Sequence, residues 1–529
     1  MKVKHRKTWS NTINRYQCQP FKYFEPEDIY DLQQIVREAE LEGVRVRAVG
    51  SGHSFSDVAM SSGYLVSFKH LDKLLDMDVN LLRVKDHYHK LVHVEGGLTI
   101  EKFNKLMCKK NLCVVNMGGI DNQTLAGAIS TGTHGTGIDL PAFHAMVRSV
   151  VLVAAGGHVY RIEPADGITN PHTYAEKGIK LVQDDHVFNS VLVSLGCMGI
   201  IYSFILELDE LYYLREAKSL MLWRDLKPML ADRSLFEKDG GGMQRYRGIM
   251  VQLNPYPNRH GEHTCVVVRH QLLKGRPRRS FNDLTRNLTS STLGNMPFVY
   301  RLTAFAARRL PKLMPWILER SLHSLKDKSY ENIGYKVLYQ GVEYIKIRAY
   351  DCEFAFDLAD NSFIEALEEV MEKAQYLARN NKLYQTSPLG LRFVRASSAY
   401  MSPCHNRNVC YIDTPFLVGT IGGDLILDTY QDIMLRHEGV PHWGKINNRL
   451  NGRPDLIEKH YQMFPEWLKV QARFNPDGTF DNNFSERLRL SARVQQLTRE
   501  SEKELGRKLQ GHPGFSTGVG DGERETVPV

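Results

Sequence analysis

Two glycine-rich loops constrain this chain more than any other feature. The first runs Val-Gly-Ser-Gly-His-Ser-Phe-Ser from Val49 to Ser56, and the second runs from Gly118 to Gly137 and ends in Gly-Thr-His-Gly-Thr-Gly. Glycines and small hydroxyl residues allow backbone N–H groups to converge on an oxyanion without Cβ atoms in the way. The pair therefore predicts a diphosphate that is held from two sides.

Neither loop fits the common nucleotide-binding signatures. A Rossmann site requires G-x-G-x-x-G at the start of a helix, and a P-loop requires G-x-x-x-x-G-K-[ST]. In this chain His53 and a polar run follow Gly52 directly, and neither loop carries the P-loop lysine. A single loop of this composition is most often a plain turn, so the prediction depends on the two loops together.

Five segments occur in the order found in one family of flavoenzymes. Residues 50–54 resemble its G-[SG]-G-H-S loop, and residues 132–137 resemble its G-T-H-G-T-G run. Residues 195–201, 441–445 and 475–482 resemble its third flavin segment, its H-W-x-K box and its closing D-P-x-x-x-F-x-N segment. The chain is thus similar to the vanillyl-alcohol-oxidase (PCMH-type) FAD-linked oxidoreductases, in the branch of the aldonolactone and alditol oxidases.

This resemblance implies an α+β fold with two main parts. A PCMH-type FAD-binding domain of two subdomains is expected to carry an α+β substrate cap domain with a large antiparallel sheet. The implied division is an FAD-binding domain at 1–212, a cap at 213–435, a return segment at 436–490 and a flexible tail at 491–529. The active site is expected between the two domains, where ligand clefts commonly form.

The resemblance also implies a covalent cofactor. In the family, the histidine at the position of His53 is bonded to the 8α-methyl group of FAD. A neutral imidazole is the nucleophile for such a bond, which retains the cofactor. The residues expected to contact FAD are Gly50, Ser51, Gly52, His53, Ser54, Gly118, Asp121, Thr124, Gly127, Gly132, Thr133, His134, Gly135, Gly196, Gly199, Ile201 and His442.

The expected substrate residues include one departure from the family pattern. An E-x-R motif on a cap strand and the lysine of the H-W-x-K box bind substrate and stabilise the reduced flavin in the family. Arg392 and Lys445 match, but Gly390 stands where the glutamate is expected. The group that replaces this carboxylate remains open among Asp413, Glu353 and Asp121. The catalytic residues expected are Arg392, Lys445, Thr124 and Asp413.

Thr124 itself has two interpretations. Its position is that of a substrate-facing hydroxyl in the alditol oxidases, but a loop threonine of this kind also commonly bonds to the backbone.

The function implied is FAD-dependent oxidation of a CH–OH group by hydride transfer to flavin N5. The expected substrate is a sugar lactone or polyol, and O2 or another acceptor reoxidises the flavin. One alternative is a hydrophobic, sterol-like alcohol at a membrane surface, because Gly390 enlarges the pocket. Another is a flavin-binding scaffold without turnover, in which the lost carboxylate marks a degenerate site.

Composition excludes several other classes. The 529 residues, 42% of them hydrophobic, suffice for two or three domains. A net charge of +8 without an RNP-like motif or zinc-finger spacing argues against nucleic acid. The histidine-rich stretches at 87–89 and 260–263 lack H-E-x-x-H spacing, so no metal site is expected. Eight cysteines without a C-x-x-C pair, and a basic start without an apolar segment, predict a cytoplasmic location.

Residues 274–328 form an insertion without a recognised counterpart in the sugar oxidases. Phe298, Leu302, Phe305 and Ala306 fall at helical spacing among arginines and lysines, and prolines at 311 and 315 limit the helix. One interpretation is an amphipathic helix that packs on the cap. The other is a peripheral membrane contact, because Trp, Phe and Leu beside several cations are typical of an interfacial helix.

Hydrophobic periodicity predicts the elements around these motifs. Helices are expected at 29–42, 99–108 and 362–380, and strands at 44–49, 91–95, 149–154, 158–162, 200–208 and 345–356.

Overall fold

The structure, a computed structural model, describes residues 1–83, 88–238, 244–277, 297–340, 348–497 and 500. For residues 297–301 it describes the backbone alone. The predicted tail at 491–529 lies mostly outside the described residues, as do the side chains of Phe298 and Arg301. The tail's flexibility therefore stays a prediction.

The first 212 residues form two main sheets with helices beside them. Their strands are β1 (Lys2–His5), β2 (Trp9–Ser10), β3 (Gln17–Cys18), β4 (Lys22–Glu25), β5 (Val46–Val49), β6 (Tyr64–Ser67), β7 (Leu74–Leu75), β8 (Leu91–Glu95), β9 (Leu112–Cys113), β10 (Val147–Val153), β11 (Val159–Glu163), β12 (Ile179–Gln183), β13 (Ile200–Glu207) and β14 (Asp209–Glu210). Their helices are α1 (Ile29–Leu41), α2 (Ile100–Lys109), α3 (Leu125–Ser130) and α4 (Asp185–Leu192).

The two sheets differ in topology. The smaller has the order β1-β4-β6-β5, with parallel pairing of β6 to both β4 and β5. The larger has the order β12-β11-β10-β13-β8-β7 and is antiparallel except for the β11–β12 pair. Two sheets in one region agree with the two-subdomain fold that the resemblance implies.

Local sequence accounts for the ends of several elements. The Asp28 side chain accepts a hydrogen bond from the Asp31 N–H and begins α1, and the Thr99 hydroxyl accepts one from the Lys102 N–H and begins α2. The β10–β11 hairpin turns at Gly156, whose φ of 70° is accessible to glycine without strain. The predicted helices and strands of this region are confirmed to within about three residues at their ends.

The cap contains one large sheet, as predicted. Its elements are β15 (Tyr213–Leu222), α5 (Trp223–Ala231), β16 (Gly248–Leu253), β17 (Thr264–Leu273), α6 (Pro297–Arg309), α7 (Met314–His323), β18 (Ser329–Ile333), α8 (Gly334–Leu338), β19 (Ala349–Asp357), α9 (Ser362–Tyr376), β20 (Leu389–Val394), β21 (Val409–Leu417), α10 (Gly423–Arg436) and β22 (Val440–Pro441). The sheet order is β18-β15-β17-β16-β20-β21-β19-β22, and every pairing in it is antiparallel.

The chain after α10 returns toward its N-terminal half. The returning elements are α11 (Pro454–His460), α12 (Phe464–Phe474) and α13 (Asn483–Arg487). Side chains of α12 and α13, including Trp467, Phe474 and Phe484, join the buried cluster that contains the core of the first 212 residues. Strand β22, although it lies after residue 435, pairs with β19 of the cap sheet. Positions 440–446 therefore belong to both halves of the molecule.

The insertion contains the predicted helix and a second one. Helix α6 ends at Arg309, and Pro315 lies in the first turn of α7, where its missing N–H costs nothing. Met314 and Leu318 of α7 are buried in the hydrophobic core of the cap. The inner face of this pair thus packs on the cap, as the first interpretation of the insertion proposed.

Candidate active site

One cavity of about 400 Å³ joins the glycine-rich loops to the cap sheet. Its walls are the loop at 47–56, the segment at 118–134, parts of the segment at 195–201, and the inner face of β16, β19, β20 and β21. This volume lies within the range of ordinary ligand pockets. Four of the five segments that resemble the flavoenzyme family contribute to these walls, and the closing segment at 475–482 does not.

The N-terminal residues position the first glycine-rich loop. The Asn11 side chain donates to the Ser54 carbonyl at 3.0 Å, and the Thr12 N–H donates to the Gly52 carbonyl at 2.9 Å. On the other side, the Phe55 N–H donates to the Gly444 carbonyl at 2.7 Å. The loop is thus fixed between the start of the chain and the H-W-x-K box.

His53 lies on the cavity wall in an environment that favours its neutral form. Burial lowers the pKa of the His53 imidazole below its ordinary value. A neutral imidazole has a free ring-nitrogen lone pair, which formation of a bond to the flavin requires.

Most of the residues expected to contact FAD line this cavity. The exceptions are Asp121, Gly132 and Gly135. A Cβ atom at Gly135 would overlap the Asn116 side chain, so its glycine is required by packing. Cofactor contact at these three positions stays a prediction.

Thr124 connects the two glycine-rich loops. Its hydroxyl accepts a hydrogen bond from the Gly127 N–H and begins α3, and it occupies the space that a Cβ atom at Gly50 would need. Gly50 must therefore be glycine for the two loops to approach one another. The hydroxyl is used by the backbone, which is the second interpretation of this residue, while its role toward substrate stays a prediction.

Arg47 lines the cavity although it lies outside every motif recognised in the sequence. It is 2% exposed and donates to the carbonyls of Leu195, Gly196, Val58 and Phe480. One buried guanidinium thus holds together the first loop, the third flavin segment and the closing segment. One feature of the sequence could have pointed to Arg47, namely a charged residue in the strand that leads into a glycine loop.

A row of four residues crosses the cap sheet on the cavity side. Gln252 on β16 pairs with Gly390 on β20, Gly390 pairs with Asp413 on β21, and Asp413 pairs with Glu353 on β19. Directly opposite residues in an antiparallel sheet point to the same face. Gly390, where the family has its glutamate, is therefore flanked by Asp413.

Lys445 forms ion pairs with the carboxylates of β19. Its Nζ lies 2.5 Å from Asp351 Oδ2 and 3.8 Å from Glu353 Oε2. Burial disfavours the ammonium, but these carboxylates outweigh it and raise the pKa of Lys445. The positive charge of Lys445 is largely committed to protein carboxylates, which the sequence could not show.

Glu353 also contacts a pair of buried histidines. His134 Nε2 lies 3.4 Å from Glu353 Oε1, and the His134 ring stacks on Tyr411 at 3.6 Å between centroids. Burial opposes ionisation of Glu353, yet His134 and Lys445 lower its pKa well below the ordinary value. Burial lowers the pKa of His442 to about 3.

His134, Glu353 and His442 are close enough together to share a metal ion. The ligand atoms of His134, Glu353 and His442 lie within 4.8 Å of one another, the one such group in the described residues. The His442 Nδ1 accepts from the Gly444 N–H, and Glu353 has ion-pair partners of its own. These contacts make the cluster a polar support for the cavity wall.

Arg392 faces the cavity two residues beyond Gly390 on β20. In the described parts of the chain, its guanidinium has neither a hydrogen bond nor an ion pair. A permanently charged group without a protein partner is available for a ligand with negative charge or exposed oxygens.

These features fit FAD. The loops meet at glycines whose missing side chains leave room, a neutral imidazole lies on the wall, and Arg392 supplies an uncommitted positive charge.

All eight cysteines lie in the described residues, and none forms a disulfide. No helix in the described ranges is long and apolar enough to cross a bilayer.

Comparison with known proteins agrees with this geometry. The profile described as FAD binding domain matches residues 20–163, and the profile of D-arabinono-1,4-lactone oxidase matches residues 260–488. Together these matches include the first glycine loop, the second glycine loop and the H-W-x-K box.

Named relatives extend over nearly the whole chain. L-gulono-1,4-lactone dehydrogenase of Mycobacterium tuberculosis is 25% identical over 482 residues, which cover 91% of this chain and 98% of that protein. L-gulonolactone oxidase of Bos taurus is 25% identical, with 91% and 98% covered. D-arabinono-1,4-lactone oxidase of Yarrowia lipolytica is 31% identical over 227 residues, 42% of this chain and 37% of that one.

A solved structure supports the same fold. Cholesterol oxidase from B. sterolicum superimposes with a TM-score of 0.67 at 13% sequence identity, covering 92% of this chain and 97% of that one. The chain therefore combines an FAD-binding domain with a D-arabinono-1,4-lactone oxidase domain, and it is an FAD-linked oxidoreductase similar to the aldonolactone oxidases and dehydrogenases, enzymes that oxidise a CH–OH group.

Proposed function

We propose that the protein oxidises a sugar lactone or a polyol with an FAD that is bonded covalently to His53. The observation that carries this proposal is the single cavity in which the glycine loops face a polar wall of the cap. Gln252, Asp413 and Arg392 on that wall present acceptors and donors to a ligand with several hydroxyl groups. The relatives named as lactone oxidases and dehydrogenases support the same substrate class.

Bound FAD would supply the hydride acceptor, and the protein residues would hold and prepare the substrate. Arg392 would bind substrate oxygens or the negative charge that develops on reduction, since charge is stabilised best by groups fixed in place beforehand. Lys445 would position Asp351 and Glu353 through its ion pairs. The Gly50, Ser51 and Gly52 backbone would bind the cofactor beside His53.

A sterol-like alcohol is the second candidate substrate. Helix α7 adds the apolar side chains Ile317 and Leu318 to one wall of the cavity. A rigid apolar ring system would need such a wall, but it would leave the polar row unpaired at a cost of several kcal/mol. The polar row therefore favours the sugar class.

Anaerobic mixing with xylitol, L-gulono-1,4-lactone and a sterol tests these candidates. We expect the flavin band to bleach with the lactone or the polyol. Bleaching by the sterol alone would favour the second candidate, and no bleaching by any of them would indicate a flavin-binding scaffold.

The covalent bond has its own test. Acid precipitation of the wild-type protein should leave the yellow flavin in the pellet, and His53→Ala should release it. Flavin that the acid releases from wild-type protein would contradict the bond to His53.

We also propose that helices α6 and α7 contact an anionic membrane surface. The outer face of these helices and of the turn between them exposes Leu302, Phe305, Leu310, Leu313 and Trp316. Four cations, Arg308, Arg309, Lys312 and Arg320, lie on the same two helices or the turn between them. Apolar side chains beside cations match the headgroup boundary of a bilayer that carries negative charge.

Vesicle sedimentation tests this contact. We expect wild-type protein to bind vesicles with phosphatidylserine more strongly than neutral vesicles, and we expect the double variant Phe305→Ser, Trp316→Ser to lose most of this binding. Equal binding by the wild type and the double variant would contradict the proposal. The matched control is Tyr30→Ser, which changes an exposed aromatic residue on the distant helix α1.

The division into domains is part of the same proposal. We assign 1–212 and 436–490 to the FAD-binding domain and 213–435 to the cap, with the β22 segment shared between them.

A further inference from the structure

Gly390 stands where the family has a glutamate, and its neighbour across the strand pair, Asp413, carries a carboxyl group that faces the same space. Asp413 lies directly opposite Gly390 in the β20–β21 register. A Cβ atom at Gly390 would meet Asp413 Cβ at 3.4 Å and Oδ2 at 3.6 Å, so the Asp413 carboxyl group lies over the vacated side-chain position. Arg392 lies two residues along β20 on the same face.

Asp413 also has an unused hydrogen-bonding atom in the cavity wall. Its buried Oδ1 accepts no hydrogen bond from an N–H or hydroxyl group of the described residues, and the Asp413 carboxyl group shares a hydrogen bond with the neighbouring Asp351 carboxyl group. A buried oxygen without a partner costs free energy, which a ligand hydroxyl would recover. The side-chain oxygen of Gln252, in the same row, is also buried and unpartnered among the described residues.

The other two candidates for this role are excluded by their surroundings. Glu353 is engaged by His134 and Lys445, which stabilise its charged form. A carboxylate held ionised in this way is a weak proton acceptor. Asp121 does not line the cavity.

We propose that Asp413 is the residue that binds the reacting hydroxyl group of the substrate and receives its proton, acting from β21 in place of a carboxylate at Gly390. This inference rests on the proposed oxidation of a CH–OH group. The substrate O–H bond breaks and its proton passes to the Asp413 carboxylate. The substrate C–H bond breaks and its electron pair leaves as hydride for the flavin. The substrate is thereby oxidised by two electrons to a carbonyl, and the flavin gains the same two electrons.

The charges around Asp413 suit a proton acceptor. Asp351 and Glu353 act on it from β19 and Lys445 from the segment after β22, and Arg392 lies on β20 two residues from Gly390, the partner of Asp413. Burial, and then the neighbouring Asp351 carboxylate, raise the pKa of Asp413 well above its ordinary value. A raised pKa makes the carboxylate a stronger base, and the reduction rate should increase as pH rises through it.

The isosteric variant Asp413→Asn tests this role. We expect its flavin to bind normally and the rate of anaerobic reduction at saturating substrate to fall by about 10²-fold to 10⁴-fold, the range typical of a lost general base. The rising limb of the wild-type pH profile should disappear. Asp357→Asn, on the same strand as Glu353 but outside the cavity, is the matched control and should keep the wild-type rate.

A second variant moves the carboxylate back across the strand pair. Gly390→Glu combined with Asp413→Ser should regain part of the lost rate, because the introduced glutamate side chain would then contact the same hydroxyl from β20. Recovery in the double variant would also show that the single variant failed through loss of the carboxylate and not through misfolding.

The pH dependence of stability gives a readout without substrate. Because the folded-state pKa of Asp413 is raised, its stabilising contribution is complete below the unfolded value of about 3.9 and is lost as pH rises through the folded pKa. Urea unfolding should show the wild type losing stability relative to Asp413→Asn as pH rises. A wild-type flavin that no substrate reduces would overturn the proposed function and this inference with it. Equal reduction rates in wild type and Asp413→Asn would overturn the role of Asp413 alone.

Discussion

Two cations in the cavity wall differ in how far the protein neutralises them. Lys445 is ion-paired with Asp351, whereas Arg392 has no hydrogen bond or ion pair in the described residues. A cation that is already paired contributes mainly to folding, because removing it leaves its partners uncompensated. A cation without such a partner is available to bind a ligand. The two residues should therefore fail in different ways when they are replaced.

We expect Arg392→Ala to keep wild-type stability and to lower the flavin reduction rate about 100-fold or more, as removal of one preorganised charge typically does. We expect Lys445→Met to lower the free energy of unfolding by about 3 kcal/mol, since it leaves two carboxylates without their cation. Urea unfolding and anaerobic stopped-flow measurements on both variants check this. The assignment is wrong if Arg392→Ala proves the less stable variant.

The sequence predicted the residues that lie inside local motifs better than those that act across the fold. His53 and Arg392, which both line the cavity, could be proposed from the sequence because each lies in a recognisable run of a few residues. Arg47 was missed because its partners at 195–196 and 480 are distant in the chain. Asp413 was only one of three candidates, because its position opposite Gly390 depends on the strand register. Register follows from tertiary packing, which single-sequence patterns do not report.

At the scale of elements, the contact between the first loop and the start of α3 is the tightest feature of the cofactor site. The Thr124 hydroxyl both begins α3 and fills the side-chain position of Gly50. Gly50 does not have a positive φ, so alanine is excluded by this contact and not by backbone conformation. The side chains at positions 50 and 124 must consequently be matched in size, because they compete for the same space.

We expect Gly50→Ala to lower stability by about 2 kcal/mol through overpacking and Thr124→Ala to lower it by about 1 kcal/mol through loss of the helix cap. The double variant should cost less than the sum, because removal of the hydroxyl makes room for the new methyl group. Thermal or urea unfolding of the four proteins gives the coupling. Strict additivity would show that the loops do not meet as described.

At the scale of the whole molecule, the segment around the H-W-x-K box joins the two halves. The His442 and Ile446 N–H groups donate to the Glu353 and Asp351 carbonyls of the cap sheet. The Trp443 and Gly444 carbonyls accept from Ser56 and Phe55 of the flavin loop. A few hydrogen bonds, most of them between backbone groups, therefore link the loop at 50–56 to the cap sheet through this segment.

This connection predicts that FAD stabilises both halves together. In His53→Ala, where the flavin can dissociate, free FAD at 100 times its Kd should add about 2.7 kcal/mol to the free energy of unfolding. Riboflavin at the same free concentration should add less to the free energy of unfolding. It lacks the diphosphate, so the two glycine-rich loops are left without their ligand and its Kd is higher. Hydrogen exchange with and without FAD measures the effect at each site. We expect increased protection in the loop at 50–56 and also in β19 and β21 of the cap sheet. Protection that stays confined to the first 212 residues would show that the shared segment does not couple the two halves.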